Sequence, residues 1–330
     1  MKRHLSIVLI SLLILFSCEN QNNIPSLYPL AEINGINEEL LISAVEKAKL
    51  DGGIKSLIIN RNGDTVIEEY FVNDGPDSLY HVQSVTKSIV SILIGIAIEK
   101  DFLDLNETVG NYLSEYVDSL NPSIASITIK NLLTMSGGFE WDEMTDFVQY
   151  FNPWASAENN IKYVLKMPMS HEPGEIFTYN TAACQLLSAI IYEATGLSLD
   201  EFGEAHFFQP LGITNRIWYA DYQGFNYGGA MLLLSPPDML KIGLLYLNKG
   251  SYNGQQIVSE SWVNESHFPH YNTNNVIPYG SEYGYFWWIG NYQGHHLYFA
   301  NDYGGQFIFI VPDFDLVVVA RSDSYLADPN

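Results

Sequence analysis

A nearly uninterrupted run of apolar residues at positions 89–98 is the strongest constraint on how this chain can fold. It follows the tetrapeptide Ser84-Val-Thr-Lys87, and together they predict one helix that begins near Ser84. A helix that is apolar on every side is buried inside a protein. The rest of the chain must therefore pack around this helix, and its first turn opens from the interior.

Ser84 and Lys87 stand three residues apart, which places both side chains on the same face of a helix. A serine hydroxyl is a weak nucleophile until a neighbouring base takes its proton, and a partly desolvated lysine can be that base. The helix N-terminus helps to keep the amine neutral and stabilises an oxyanion nearby. The chain contains no other Ser-x-x-Lys. On spacing alone, the alternative is an N-cap serine followed by a solvated lysine.

The composition suits a compact globular protein with a large core and argues against nucleic acid as a partner. The 330 residues are 47% hydrophobic and 16% charged, and this length allows one large domain or two. The formal charge is −23, and the 15 lysines and arginines are spread along the chain without a basic cluster. A nucleic-acid partner would require such a cluster.

The first 17 residues have the pattern of a secretory signal peptide. Lys2 and Arg3 form a basic start, residues 5–16 form an apolar core too short to span a bilayer as a mature helix, and Cys18 follows. The ending resembles the bacterial lipoprotein signal, in which such a cysteine becomes the lipidated first residue. The alternative is an ordinary signal peptide with an incidental cysteine. No other segment is long and apolar enough to cross a bilayer.

The expected mature protein is exported and anchored by lipid at Cys18 to a bacterial membrane, on the periplasmic side or at the cell surface. Residues 1–17 are the predicted signal peptide, residues 18–30 a lipidated tether, and residues 31–330 a folded domain. The remaining cysteine, Cys184, then has no partner for an intramolecular disulfide.

Helix and strand patterns place parts of a sheet at both ends of the domain. Residues 37–50 predict a helix, and residues 54–60 and 65–72 predict a hairpin with its turn at Asn62-Gly63-Asp64. Further strands are predicted at residues 284–289, 296–300, 306–311 and 316–321. The expected fold is α+β, with a mixed, largely antiparallel sheet flanked by helices. The α/β part comprises about residues 31–102 and 216–330, and a helical region at about 103–215 is inserted.

Ordered motifs along residues 40–321 give the chain its resemblance to a known superfamily. It resembles the serine β-lactamases and penicillin-binding proteins, on the branch that holds class C β-lactamases, family VIII esterases and 6-aminohexanoate-dimer hydrolases. The resemblance implies the β-lactamase/transpeptidase-like fold. The segments that carry it are Ser84-Val-Thr-Lys87, Leu132-Leu-Thr-Met-Ser-Gly-Gly138, Trp141-Asp-Glu143, Pro173-Gly-Glu-Ile-Phe-Thr-Tyr179-Asn-Thr181, Gly228-Gly229, Leu234-Ser-Pro236 and Gly304-Gly-Gln306.

The resemblance also assigns roles to residues away from Ser84. Tyr179, together with Lys87, would relay the proton from Ser84 to the leaving group. The backbone N–H groups of Ser84 and Tyr303 would form the oxyanion hole. Thr181 stands where relatives have Asn or Ser, so it keeps a hydroxyl but lacks an amide. The residues expected to contact the substrate are Trp141, Thr181, Asp302, Gly304, Gly305 and Gln306.

The stretch Ala300-Asn301-Asp302 departs from the family pattern. Relatives place Lys-Thr-Gly, His-x-Gly or a looser small-x-Gly sequence on this strand, and a cationic first residue would grip the carboxylate of a β-lactam or a D-Ala peptide. Here the cation is missing, and Asp302 brings a negative charge where glycine leaves room. The alternative is that Asp302 is a strand-end residue turned to solvent.

Other motifs for chemistry are missing from the sequence. His171-Glu172 lacks the second histidine of a zinc protease, and the pairs His267/His270 and His295/His296 lack further ligands at useful spacing. The chain has no Gly-x-Ser-x-Gly motif of an α/β-hydrolase and no glycine-rich phosphate loop. We therefore expect neither a metal ion nor a cofactor.

The expected activity is that of a serine hydrolase that forms an acyl-enzyme on Ser84 and cleaves a small ester, amide or peptide-like substrate. A β-lactamase or a D-Ala-D-Ala carboxypeptidase is the alternative within the enzyme class. The alternative from another class is a non-catalytic module that binds cell-wall fragments or a protein partner. Asp302 and Thr181 favour this alternative, because both depart from the family pattern. The sequence leaves the oligomeric state open.

The chain ends soon after the predicted strand at 316–321, where relatives continue into a final helix packed on the sheet. This strand and residues 307–311 are apolar on both faces, so both faces need cover. We therefore expect an exposed apolar patch beside the strand at 316–321.

Replacement of Cys18 by serine (Cys18→Ser) should release the protein from the membrane, because acyl chains on Cys18 are its only expected hold on the bilayer. Immunoblots of membrane and soluble fractions measure this release. The control variant Cys184→Ser should stay in the membrane fraction. Retention of Cys18→Ser in membranes would contradict the lipid anchor.

Overall fold

The computed structural model of the protein describes residues 26–277, 279–302 and 304–322. Cys18 and the predicted signal peptide lie outside these ranges. The first elements are the helices α1 (Leu30–Ile33) and α2 (Glu38–Asp51), followed by the hairpin of β1 (Ile54–Arg61) and β2 (Asp64–Tyr70). The short strand β3 (Tyr80–His81) then leads into helix α3 (Val85–Glu99).

A region of short helices follows α3. Polar side chains fix where several of them begin; for example, Ser198 and Glu201 form a capping box at one helix start. The elements are α4 (Val109–Leu113), a 3-10 turn (Ser114–Tyr116), α5 (Pro122–Ala125), α6 (Ile129–Leu133), α7 (Phe147–Ala155), α8 (Asn160–Leu165), α9 (Cys184–Thr195), α10 (Leu199–Gly203), a π-helical turn (Glu204–Phe208) and α11 (Gln209–Leu211).

The last third of the chain is mainly strands. Two helices, α12 and α13, lie between the strands. The elements are β4 (Ile217–Trp218), β5 (Leu232–Leu234), α12 (Pro236–Leu247), β6 (Ser251–Tyr252), β7 (Gln255–Gln256), α13 (Glu260–Ser266), β8 (Tyr271–Ile277), β9 (Gly280–Tyr283), β10 (Trp288–Tyr292), β11 (His295–Asn301), β12 (Phe307–Val311), a 3-10 turn (Pro312–Phe314) and β13 (Leu316–Ser322).

An eight-stranded sheet joins the two ends of the described chain. Its strand order is β2-β1-β13-β12-β11-β10-β9-β8, and neighbouring strands are antiparallel. Ile54 at the start of β1 pairs with Ser322 at the end of β13. The predicted α+β fold, with a large antiparallel sheet flanked by helices, is therefore confirmed.

Helix α3 is buried along nearly its whole length. Every residue from Val85 to Ala97 is buried, including the polar residues Lys87 and Ser88. The helix packs closely against α13, since a Cβ on Gly95 would lie only 2.4 Å from the Trp262 Nε1 atom. None of the helices in the described part of the chain has the length and apolar character needed to span a membrane.

The exposed apolar patch that we expected beside the last strand is not present on β12 and β13. The residues 307–311 and 316–320 are each at most 5% exposed. Helix α12 lies on one face, with Gly243 close to Ile308 and Val317. On neighbouring strands, the rings of Phe299 and Phe309 contact each other at 4.9 Å between centroids. The expected patch is therefore wrong for these two strands, whose apolar residues are all buried.

The variant Gly95→Ala should destabilise the fold, because its new methyl group overlaps the Trp262 indole. Overpacking of a core costs about 1–3 kcal/mol, which outweighs the gain of up to about 1 kcal/mol in helix propensity. Urea unfolding gives the difference in unfolding free energy. The control Gly75→Ala, which has nothing within 4 Å of the new Cβ, should stay close to the parent protein. Equal stabilities of the two variants would contradict the tight α3–α13 contact.

Candidate active site

Ser84 lies at the position where α3 begins. The preceding residue, Gln83, has a positive φ of 49°, which turns the chain sharply from β3 into the helix. Ser84 occupies the N-cap position, but its side chain makes no capping hydrogen bond. Its hydroxyl instead accepts a hydrogen bond of 2.7 Å from the Lys87 Nζ atom. The structure thus uses this serine for a contact with the lysine and not as an ordinary cap.

Lys87 is 1% exposed, so it is not the solvated residue of the alternative interpretation. Besides Ser84, its Nζ atom donates to the Gly229 carbonyl oxygen at 2.8 Å. Glycine is needed at this place, since Cβ atoms on Gly228 and Gly229 would lie 2.2 Å from the Cys184 oxygen and 2.9 Å from the Thr181 oxygen. The two glycines therefore let this loop approach α9 and present a carbonyl to the buried amine.

Tyr179 lies beside Lys87, with the ammonium 4.9 Å from the centre of its ring. The loop that carries it is fixed by a hydrogen bond of 2.7 Å from the Thr178 N–H to the Met135 oxygen. Its ring stacks on Trp288 at 5.6 Å. Burial raises the pKa of Tyr179 to about 12, although Lys87 and a hydrogen bond with Ser84 act to lower it. Tyr179 is therefore a neutral phenol at neutral pH and can hand over a proton.

The electrostatic surroundings of Lys87 act in opposite directions. Burial is the largest influence and lowers its pKa, but negative charge on Tyr179, Cys184 and Glu143 raises it, and the net shift is upward. The pKa values of Tyr179 and Cys184 are both about 12, so these two groups are neutral at neutral pH. The third of these groups is the Glu143 carboxylate. The helix N-terminus, from which the sequence predicts a neutral lysine, is thus opposed by the Glu143 carboxylate.

Asp302 reaches the first turn of α3 from the end of β11. It is 7% exposed, and its Oδ1 atom accepts a hydrogen bond of 3.2 Å from the Ser84 backbone N–H. Asp302 is therefore not turned to solvent, which was the alternative interpretation of this residue. Its carboxylate contacts the N–H group that the resemblance assigns to the oxyanion hole. Tyr303, the other predicted donor of that hole, lies outside the described residues.

Gly304, Gly305 and Gln306 form the turn that follows Asp302. Both glycines have positive φ values, 129° and 92°. The Gln306 side chain is 3% exposed and donates from Nε2 to the Ser322 oxygen at 2.6 Å, at the end of β13. The structure thus uses Gln306 to tie the turn to the sheet and does not direct its amide toward Ser84.

Trp141 and Thr181 both donate hydrogen bonds to the carboxylate of Glu143. Glu143 is not one of the predicted site residues. Glu143 Oε2 accepts from the Trp141 Nε1 at 2.7 Å and from the Thr181 backbone N–H at 2.8 Å. Glu143 Oε1 accepts from the Thr181 hydroxyl at 2.5 Å. Both donors of Thr181 are therefore engaged inside the protein. The available signal was the motif Trp141-Asp-Glu143, in which only the tryptophan had been assigned a role.

The sequence profile of the β-lactamase family ("Beta-lactamase") matches residues 43–324, most of the chain. The chain belongs to the β-lactamase family. It is 24% identical over 209 residues to protein flp of Staphylococcus aureus strain MW2, a match that covers 59% of this chain and 41% of flp. This β-lactamase-family chain thus spans less than half the length of flp. Members of this superfamily are serine hydrolases.

Solved structures of low sequence identity share the fold of this β-lactamase-family chain. A protein assigned as a 6-aminohexanoate-dimer hydrolase, from Bacillus anthracis, has a TM-score of 0.73 at 21% identity, covering 87% of this chain and 77% of that one. EstCE1, a hydrolase with promiscuous acyltransferase activity, has a TM-score of 0.71 at 18% identity, covering 85% and 92%. The predicted membership in the β-lactamase/transpeptidase-like superfamily is confirmed.

The variant Asp302→Gly should raise acylation by anionic penicillins more than acylation by a neutral short-chain ester. Two unit charges about 4 Å apart repel by up to about 4 kcal/mol at an effective dielectric near 20, and a quarter of this changes binding several-fold. The measurement is the acylation rate with both substrates at low and high salt.

The matched variant Asp302→Asn separates the effect of the charge from the effect of the occupied N–H group. It keeps an acceptor for the Ser84 N–H but removes the charge, so penicillins should gain and the neutral ester should change little. Asp302→Gly also frees the Ser84 N–H, so the ester should gain as well. If neither variant changes the ratio of the two rates, Asp302 does not act on the substrate.

Proposed function

We propose that the protein is a serine hydrolase that cleaves an ester or an amide through an acyl-enzyme on Ser84. The observation that carries this proposal is the 2.7 Å hydrogen bond between Ser84 Oγ and the buried Lys87 Nζ. An activated nucleophile needs such a base within hydrogen-bond reach. Ser84 itself is only partly buried.

In the proposed reaction, the deprotonated form of Lys87, which its raised pKa makes the minor form at neutral pH, accepts the proton of the Ser84 hydroxyl while Ser84 Oγ forms a bond to the substrate carbonyl carbon. The N-terminus of α3 stabilises the negative oxygen of the tetrahedral intermediate. The bond to the leaving group then breaks, and the leaving group takes a proton from Tyr179, which is replenished from the Lys87 ammonium. Attack by water on the acyl-enzyme releases the acid and restores Ser84.

Uncharged or amine-bearing substrates fit this site better than carboxylates. Ala300 stands where relatives offer a cation, and it is fully buried. Asp302 adds negative charge at the Ser84 N–H. We therefore place an esterase or amidase activity ahead of β-lactamase or D-Ala-D-Ala carboxypeptidase activity.

One observation favours a second candidate, a non-catalytic binding module for cell-wall fragments or a protein partner. The Ser84 N–H, which an oxyanion would need, donates to the Asp302 carboxylate instead. A substrate carbonyl must compete with this contact. We still favour the hydrolase, because Lys87 Nζ lies within hydrogen-bond distance of Ser84 Oγ.

We also propose that the protein acts outside the cytoplasm. The basis is the sequence that ends at Cys18, because a signal peptide followed by a lipidated cysteine would carry the folded domain to the outer face of a membrane.

A fluorophosphonate probe should label the purified protein on Ser84. Ser84→Ala should abolish labelling and ester hydrolysis, and Lys87→Ala should lower both nearly as much, by about a thousand-fold or more, because the pair acts as a unit. Labelling is read on gels and located by mass spectrometry of the modified peptide.

The control Ser88→Ala should remain labelled, because the Ser88 hydroxyl is buried and donates to the Phe286 oxygen. A parent protein that resists the probe, or a Ser84→Ala protein that hydrolyses esters at the parent rate, would refute the hydrolase. The binding module would then be the surviving candidate.

A further inference from the structure

The carboxylate of Glu143 is buried beside the site. The residue is 7% exposed. Within the described part of the chain, none of the ion pairs that involve Lys or Arg includes Glu143. An unpaired buried carboxylate costs several kcal/mol unless hydrogen bonds compensate for lost water. A site that keeps such a group has a use for its charge or for its geometry.

Three donors hold this carboxylate, and two of them belong to Thr181. The Thr181 N–H and hydroxyl donate at 2.8 and 2.5 Å, and the Trp141 indole donates at 2.7 Å. Hydrogen bonds to both oxygens fix the orientation of the carboxylate. They also fix the backbone two residues after Tyr179, just before α9 begins.

A chain of contacts connects Glu143 to the base. Thr181, held by Glu143, lies against Gly229, where even a Cβ would come within 2.9 Å of the Thr181 oxygen. The Gly229 carbonyl in turn accepts the 2.8 Å hydrogen bond from Lys87 Nζ. A displacement of Thr181 would therefore move the carbonyl that positions the amine.

The charge of Glu143 acts on the titratable groups around it from several elements. They are Lys87 on α3, Tyr179 in the loop before α9, Cys184 on α9 and Tyr283 on β9, and for each of them Glu143 raises the pKa. Asp302 faces the other side of Ser84 through the Ser84 N–H. Since Tyr179 and Cys184 are neutral at neutral pH, Glu143 is the acidic group that opposes the effect of burial on Lys87.

We propose that Glu143 is a positioning residue of the site, whose hydrogen bonds hold Thr181 and, through Gly229, the Lys87 amine in place, and whose charge acts on that amine. This inference rests on the proposed function, because it needs Lys87 as the base of Ser84. Glu143 acts on the substrate only through these neighbours.

The test is the pH dependence of kcat/KM for a neutral p-nitrophenyl ester, followed until the rate levels off at alkaline pH. Glu143→Gln keeps the size of the side chain and removes its charge. Because a Lys87 without this charge loses its proton more easily, the pH of half-maximal rate should fall by about one unit, the size of shift that a nearby opposite charge produces. The plateau should fall about tenfold or more, because the Thr181 turn is disturbed.

Three further variants separate charge from structure. Glu143→Asp keeps the charge, so its half-maximal pH should remain that of the parent while its plateau falls. Trp141→Phe removes one donor and should behave likewise. Glu140→Gln removes an exposed acidic charge nearby and should change neither quantity.

A Glu143→Gln protein with a lower plateau and the half-maximal pH of the parent would overturn the proposal and leave Glu143 a structural residue. If Glu143→Gln does not fold, Glu143→Asp decides, because an acid-shifted profile in this charge-retaining variant contradicts the charge effect. Fluorophosphonate labelling of the parent protein is checked first. An unlabelled parent refutes the hydrolase itself, whereas a labelled parent with an unmoved Glu143→Gln profile refutes only the role of Glu143.

Discussion

The hydrogen bond from Lys87 to Ser84 depends on a helix that begins inside the protein. A solvated lysine at a helix start would be a hydrated ammonium with no reason to bind a neighbouring serine. In this chain α3 is enclosed by the sheet on one side and by helices on the other, so the amine must find its partners within the protein. It finds Ser84 and the Gly229 carbonyl. This arrangement depends on the glycine pair at 228–229, on the packing of α9 against it and on the turn before α3.

Two carboxylates flank the site, and the protein binds them differently. Glu143 accepts three hydrogen bonds from residues that have no direct role in the chemistry, which makes it a fixed charge. Asp302 accepts a hydrogen bond from the Ser84 N–H, a group that the proposed reaction needs. The hydrogen bonds of Glu143 are part of the fold, whereas in the proposed reaction the substrate would compete with Asp302 for the Ser84 N–H. Under the proposed mechanism, Glu143 would therefore support the base, whereas Asp302 would restrict the substrates.

The features that local sequence patterns determine could be predicted, and those that depend on contacts between distant segments could not. The apolar run after Lys87 fixes a buried helix, and the two groups of strands fix an antiparallel sheet. The Lys87–Tyr179 contact followed from the resemblance. The Glu143–Thr181 contact joins residues 38 positions apart, and no local pattern indicates it. The direction of the Gln306 amide and the burial of β12 depend on contacts with distant segments, namely Ser322 and helix α12, which periodicity does not give.

The pairing of β1 with β13 has a consequence for how the molecule is made. The first long strand has its central-sheet neighbour only when the last described strand is present, since Ile54 pairs with Ser322. Contacts between segments so distant in sequence close late and make folding slow. Until then, the apolar face of β1 and the first turn of α3 lack the neighbours that cover them, and such intermediates tend to aggregate. A growing chain therefore completes this sheet only after β13 has been made.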